Sequence, residues 1–119
     1  MALENVIGDG SSAGLTEAAI SAAGTTQATA TLLRAQYSDI GTVASGAGVA
    51  LSNHLSPGRI QTVFNSGANA LKVYPPYIGG TGLFQINALA VNGAITLATN
   101  TGILFVCTST TRIIGVLSA

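Results

Sequence analysis

Charge is scarce in this sequence. Of its 119 residues, four are Lys or Arg and four are Asp or Glu, so charged residues make up 7% of the chain and the formal net charge is zero. A soluble domain typically contains about 25% charged residues, and a surface with few charges is poorly protected against association. We therefore expect much of the surface to be covered in an assembly. A soluble monomer coated with Ser, Thr, Asn and Gly is the alternative.

Long apolar runs, basic clusters and paired cysteines are also missing. The longest apolar runs, ILFVC and IIGVL, are far shorter than the ~20 residues of a membrane-spanning helix. The first residues, MALENVIGDG, lack the basic and then apolar segments of a secretory signal. Cys107 has no partner for an internal disulfide and is expected to be a small core residue. With four dispersed basic residues, neither nucleic acid nor a membrane is an expected partner.

Patterns typical of catalysis and metal binding are also absent from the sequence. No spacing places two carboxylates on one strand face, which argues against a paired-carboxylate glycosidase. His54 lies in the loop-like segment SNHLSPG without a neighbouring Cys, Asp or Glu, so it is a poor metal ligand. The segments SGAG and IGGTG lack the Lys-Ser/Thr and the helix that complete a phosphate-binding loop. We predict no catalytic, cofactor or metal site. The carboxylates are Glu4, Asp9, Glu17 and Asp39.

Short apolar segments bounded by Gly, Pro, Asn and Ser predict an all-β fold. Residues 1–24, rich in Gly, Ala and Ser, are predicted to be a loosely structured N-terminal arm or a short strand. Residues 25–119 are predicted to form an antiparallel β-sandwich, with a jelly roll as one variant. No internal repeat is evident. The candidate strands are 26–34, 40–44, 48–52, 59–65, 70–74, 83–87, 94–99, 103–108 and 112–117.

Alternation within these segments predicts which side chains share a face. Leu71 and Val73 point one way from their strand, whereas ILFVC is apolar on both faces and predicts a central strand covered on both sides. Asn92-Gly93 separates two candidate strands, and this dipeptide favours a two-residue hairpin turn of type I′.

The stretch NSGANALKVYPPYIGG (65–80) ends a strand abruptly. Two consecutive prolines remove two backbone donors and restrict φ, so a β-ladder cannot continue through them. The apolar side chains beyond them either cap the open end of the sandwich or contact a neighbouring subunit. The candidate assembly contacts are Tyr74, Pro75, Pro76, Tyr77 and Ile78.

Two long segments carry a family resemblance. VFNSGANALKVYPPYIGG (63–80) and INALAVNGAITLATNTGILFVCTSTTR (86–112) resemble a recurrent pattern in virion proteins of tailed bacteriophages and prophages. In that pattern an N-x-G-A-N-A-L-x-V-Y-P-P run is followed by Gly-Gly, an I-N-x-L segment, an N-x-A turn and a strand ending in C-T-S-x-T. The upstream segments GTTQATATLL and TVASGAGVAL resemble the first half of the same module. The likeness covers roughly residues 15–114.

The resemblance implies a non-enzymatic structural protein of the virion, of the capsid decoration, cement or head-fibre type. Such a protein would assemble in the host cytoplasm as a homotrimer, bind the major capsid protein on the outer capsid surface and stabilise the shell. The chain carries the module without a long fibre or enzymatic domain, which favours decoration over a tail or baseplate component.

Two alternatives come from other classes. A carbohydrate-binding module would need exposed Trp or Tyr platforms, which a chain with no Trp and three Tyr supplies poorly. A small β-sandwich hydrolase lacks the necessary carboxylates and histidines.

Overall fold

The computed structural model describes residues 16–53, 55–77 and 84–117, which form an all-β structure. This confirms the predicted fold class. No helix occurs among these residues, so none in this part of the chain is long and apolar enough to cross a membrane. The strands are β1 (Thr16–Ser21), β2 (Thr31–Leu32), β3 (Tyr37–Thr42), β4 (Gly48–Ala50), β5 (Ile60–Asn65), β6 (Leu71–Tyr74), β7 (Gln85–Ile86), β8 (Ile95–Leu97), β9 (Thr101–Ser109) and β10 (Arg112–Leu117).

The described strands form two mixed sheets. The order in the six-stranded sheet is β1-β3-β5-β9-β10-β7, and in the four-stranded sheet it is β2-β4-β6-β8. From β1 to β6 the chain alternates between the sheets, and each new strand lies parallel to the previous strand of its own sheet. Three successive coils result, each contributing one strand to each sheet. The arrangement is therefore β-solenoid-like.

This topology corrects the predicted antiparallel sandwich and its jelly-roll variant. Antiparallel pairing is found for β5–β9, β9–β10 and β6–β8, whereas β1–β3–β5, β2–β4–β6 and β7–β10 are parallel. The physical reason lies in the connections. The turns after β3 and β5 carry the chain across to the other sheet, so they do not return it as a hairpin. Residues 16–21 of the predicted arm pair with β3 as strand β1, and the division of the chain at residue 24 stays a prediction.

Strands β8 and β9 close the third coil. β8 pairs antiparallel with β6, and β9 pairs antiparallel with β5, so both sheets stop growing by parallel addition. An unpaired strand edge is a template for association, and this closure covers the edge of the last coil in both sheets.

The core lies between the two sheets and confirms the predicted alternation. Leu71 and Val73 of β6 are fully buried, and Phe105 of β9 is the largest of the fully buried side chains. β9 is central, between β5 and β10, as predicted. It is not covered on both sides, however, because Leu104 is 37% exposed.

Two buried amides tie loops to this core. Gln61 donates from Nε2 to the Ala35 carbonyl at 3.1 Å and accepts from the Ser52 amide at 3.0 Å. Asn65 donates from Nδ2 to the carbonyls of Asn69 and Leu97, each at 2.9 Å. A buried polar group costs free energy unless it is hydrogen-bonded, so these side chains fix where the surrounding loops lie.

The predicted hairpin at Asn92-Gly93 is wrong. β7 and β8 belong to different sheets, so the turn between them carries the chain across the core. Of the two residues, Asn92 has the positive φ, at 63°. The Gly93 amide donates to the Ala90 carbonyl at 2.9 Å, which closes a four-residue turn over 90–93.

Replacing Gly93 by Val is still expected to destabilise the protein, for a steric reason. A Cβ atom at this position would lie 2.9 Å from the Ala90 carbonyl oxygen, so the turn would have to shift. We expect a loss of about 1–3 kcal/mol in the free energy of unfolding, measured by urea denaturation. Ala88→Val, at an exposed position of the same connection, is the control and should change stability by less than about 0.5 kcal/mol. Equal midpoints for the two variants would contradict the steric argument.

Candidate functional site

The most distinctive surface is the side of the six-stranded sheet that points away from the core, here called the outer face. Alternation and strand register place its side chains on β3, β5, β9 and β10. Tyr37 lies beside Thr62, Thr62 beside Leu104, and Leu104 beside Val116, which makes one continuous row across four strands. A second row is formed by Ile60, Val106 and Ile114.

The outer face is exposed and apolar. Tyr37 is 46% exposed, Phe64 40%, Leu104 37% and Val116 58%. The three side chains of the second row are half-buried. Large contiguous apolar patches are uncommon on free soluble proteins and mark sites of interaction. The outer face is therefore the candidate functional site.

The outer face carries almost no charge. At the outward positions of β3, β5, β9 and β10, the charged side chains among the described residues are Asp39 and Arg112. They have opposite signs and lie on different strands, so this surface is neutral as a whole. The Asp39 carboxylate also accepts a hydrogen bond from Ser66 Oγ.

An open depression of about 220 Å³ lies at one side of the outer face, between β1, β3 and β5. Strand register pairs Tyr37 with Thr62 and Asp39 with Phe64. The two aromatic side chains therefore lie diagonally opposite each other, with the smaller Asp39 and Thr62 side chains between them. Thr62 Oγ1 and Ser38 Oγ are buried and have no hydrogen-bond partner within the described structure. The depression is lined by Thr16, Tyr37, Ser38, Asp39, Thr62 and Phe64.

The predicted assembly contacts are covered by their own chain. Pro75 and Pro76 are buried, and their carbonyls accept from Gln27 Nε2 at 2.9 Å and 3.2 Å. The half-buried Tyr74 donates its hydroxyl hydrogen bond to the Thr25 carbonyl at 3.0 Å. The covering segment is residues 24–30, the clasp loop, which belongs to the connection between β1 and β2.

The remaining predicted contacts add little apolar surface. Tyr77 is half-buried, and Ile78 lies outside the described residues. A role of this segment in assembly stays a prediction.

Strand register explains why a proline stands at position 75. The Leu33 amide donates to the Ala50 carbonyl at 2.9 Å, and the Leu51 amide donates to the Tyr74 carbonyl at 3.0 Å. Pro75 occupies the equivalent position in the third coil, one residue beyond Tyr74. Among the described strands, however, no further parallel strand lies beside β6 to supply the carbonyl that would accept from an amide there. A residue without an N–H therefore leaves no donor unsatisfied at this position.

The motif that carries the phage resemblance also has a structural role. The Asn65 carboxamide holds the turn after β5, and its Oδ1 accepts from the Gly67 amide at 2.9 Å. A Cβ at position 67 would lie 2.6 Å from Val43 Cγ2, so the chain passes too closely for a side chain. Asn69 donates to the Val43 carbonyl at 2.8 Å. These residues thus shape the third coil.

Chemistry is sparse in the described part of the chain. It contains no group of three or more His, Cys, Asp or Glu residues that could hold a metal ion. His54 lies outside the described residues. Cys107 is buried, as predicted, and its thiol donates to the Ser109 carbonyl at 3.1 Å. Burial raises the pKa of Cys107, so the neutral thiol is favoured over the reactive thiolate.

Sequence reasoning missed the outer face, although its members were visible in the sequence. The apolar residues on both faces of ILFVC, together with Phe64 and Tyr37, could have indicated an exposed apolar surface. Nothing in the sequence, however, indicated that these segments lie beside one another. No family model, curated protein or solved structure matches the chain.

Proposed function

We propose that this chain is a non-enzymatic structural protein of a bacteriophage virion, a decoration or cement protein that binds the outer surface of the capsid. The observation that carries the proposal is the outer face, an exposed and nearly uncharged surface that extends over four strands. An apolar sheet face of this kind is suited to a permanent protein–protein contact within a virion, either with the capsid or with a further copy of this chain. The module resemblance supplies the phage context.

The proposed partners are the major capsid protein and further copies of this chain, most simply in a homotrimer. A decoration protein that binds the assembled lattice, and not free capsid subunits, stabilises the lattice by mass action. Its function is mechanical and needs no cofactor. The short, coiled architecture also suits a tail, baseplate or fibre component, since coils of this kind extend by stacking.

Attachment to the particle is expected to depend weakly on salt. Exposed ion pairs are screened as the Debye length falls from about 10 Å at 0.1 M salt to about 3 Å at 1 M, whereas apolar burial is not screened. The charged side chains of β3, β6 and β10 are dispersed, as Asp39, Lys72 and Arg112 illustrate. We therefore expect the chain to remain bound when purified particles are taken from low salt to ~1 M sodium chloride, as measured by quantitative mass spectrometry of pelleted particles.

Two results would count against the proposal. Release of all the chain by moderate salt would show that a few charges carry the contact. Absence of the chain from purified particles would contradict the virion assignment itself. Electron microscopy of the same particles separates a capsid position from a tail position.

A further inference from the structure

The outer face contains two complementary features. One is the depression at its β1–β3–β5 side, here called the hole, whose apolar walls are Tyr37 and Phe64. The other is a pair of neighbouring side chains on β9 and β10, Leu104 and Val116, here called the ridge. Val116 is the most exposed of the large apolar side chains on the described surface, at 58%.

We infer that a second copy of this chain covers the outer face, with the ridge of each copy packed into the hole of the other. This inference rests on the proposed function and deepens it by assigning the outer face to self-association. Contact with the capsid is then left to other surfaces.

Charge favours a second copy as the occupant. A surface that binds its own copy must not bring like charges together, since such contacts are unfavourable. The outer face meets this condition because its charged members, Asp39 and Arg112, have opposite signs and lie on different strands. The walls of the hole and the ridge are built from uncharged side chains, except for Asp39 in the wall.

Size and shape agree with this assignment. Strands lie about 4.8 Å apart and outward side chains repeat about every 7 Å, so the apolar patch covers roughly 400 Å² with its margins. This is about half of the ~800 Å² that each partner contributes to a standard interface, and it matches the apolar centre that such interfaces have. Exposed threonines such as Thr16 and Thr108 provide the polar rim.

The hole and the ridge occupy different sides of one face, and this has a geometric consequence. The hole lies between β1, β3 and β5, whereas the ridge lies on β9 and β10, so neither feature can fill itself. Both features point away from the same sheet face, so two copies that pack face to face about a two-fold axis each place their ridge in the hole of the other. An isologous contact of this kind forms a closed dimer.

The experiment tests the ridge and the hole separately and then together. Val116→Asp places a carboxylate on the ridge, where it would meet the Asp39 carboxylate in the neighbour's hole. Phe64→Lys places an ammonium group in the wall of the hole. Both positions are exposed, and the denaturation midpoint of each variant verifies that it is folded. Size-exclusion chromatography with light scattering gives the masses.

We expect the original chain to have the mass of a dimer, in place of the proposed homotrimer, and each variant alone to be a monomer. Mixing equal amounts of the two folded variants should restore dimers, because the Asp ridge of one variant packs into the Lys hole of the other while the unaltered ridge of the second packs into the unaltered hole of the first. Val91→Asp is the matched control. Val91 is 52% exposed but lies in the turn before β8, so this variant should keep the mass of the original chain.

The outcomes separate the inference from the proposed function. A monomeric original chain, or folded variants that both stay oligomeric, would overturn the ridge-and-hole contact. Monomeric variants that do not associate on mixing would overturn it as well. Retention of the chain on purified particles is measured independently, so the virion proposal stands or fails on that result alone.

Discussion

Leu51→Pro is expected to destabilise the protein severely, by roughly 4 kcal/mol or more in the free energy of unfolding. Leu51 directly follows β4, which lies between β2 and β6 in the parallel part of the four-stranded sheet. Its amide donates to the Tyr74 carbonyl at 3.0 Å, and its side chain is fully buried. Proline removes this donor, leaves the Tyr74 carbonyl without that hydrogen bond and replaces a fully buried leucine side chain. Because a domain of this size is stable by about 5–15 kcal/mol in total, much of the folding free energy would be lost.

The matched control is the reverse exchange at the equivalent position of the next coil, Pro75→Leu. Among the described strands, no parallel strand follows the third coil, so the N–H that leucine adds at position 75 has no ladder carbonyl to bind. Pro75→Leu should cost about 1–3 kcal/mol, less than Leu51→Pro, because it adds an N–H without a ladder partner at a buried residue but breaks no existing hydrogen bond of the ladder. Urea denaturation of both variants is the measurement. Equal losses for the two exchanges would show that positions 51 and 75 do not differ in the way the coil arrangement requires.

Asn65→Ala is expected to have the second-largest effect, a loss of about 3 kcal/mol. The fully buried Asn65 carboxamide makes three hydrogen bonds, to the carbonyls of Asn69 and Leu97 and from the amide of Gly67, all at 2.9 Å. Alanine leaves these backbone groups without a partner, and a buried unsatisfied group costs about 1–3 kcal/mol. The end of β5, the turn after it and the end of β8 would all loosen.

Asn69→Ala provides the internal comparison for this result. Asn69 is exposed, and its side chain donates one hydrogen bond to the Val43 carbonyl. Its replacement should cost about 1 kcal/mol, as expected for one hydrogen bond. If the two alanine variants had the same midpoint in urea, the buried carboxamide would not be what holds the third coil together.

A large part of the candidate site depends on neighbours that sequence reasoning cannot identify. Tyr37 and Phe64 each look like an isolated aromatic residue in the sequence, yet β3 and β5 bring them to one depression. By contrast, Tyr74 to Ile78 look like an exposed apolar turn in the sequence. In the structure, residues 74–76 are hydrogen-bonded to Gln27 and Thr25 of the clasp loop. Such a contact joins residues almost fifty positions apart, beyond the reach of any local pattern.

The sequence by itself determined the all-β class, the approximate positions of most strands and the alternation that fills the core, as in Leu71 and Val73. These features depend on local composition and on a period of two, which a single segment carries. It also determined the low charge, and with it the expectation of a covered surface.

Only the tertiary structure decided the direction of the strands and the coil repeat. A half-buried strand shows the same alternation whether its neighbour is parallel or antiparallel, so the pattern specifies a face and not a partner. The equivalent residues Leu33, Leu51 and Pro75 are unevenly spaced and the third differs from the other two, which hides the repeat. The outer face arises from the same cause, because it exists only once β3, β5, β9 and β10 lie side by side.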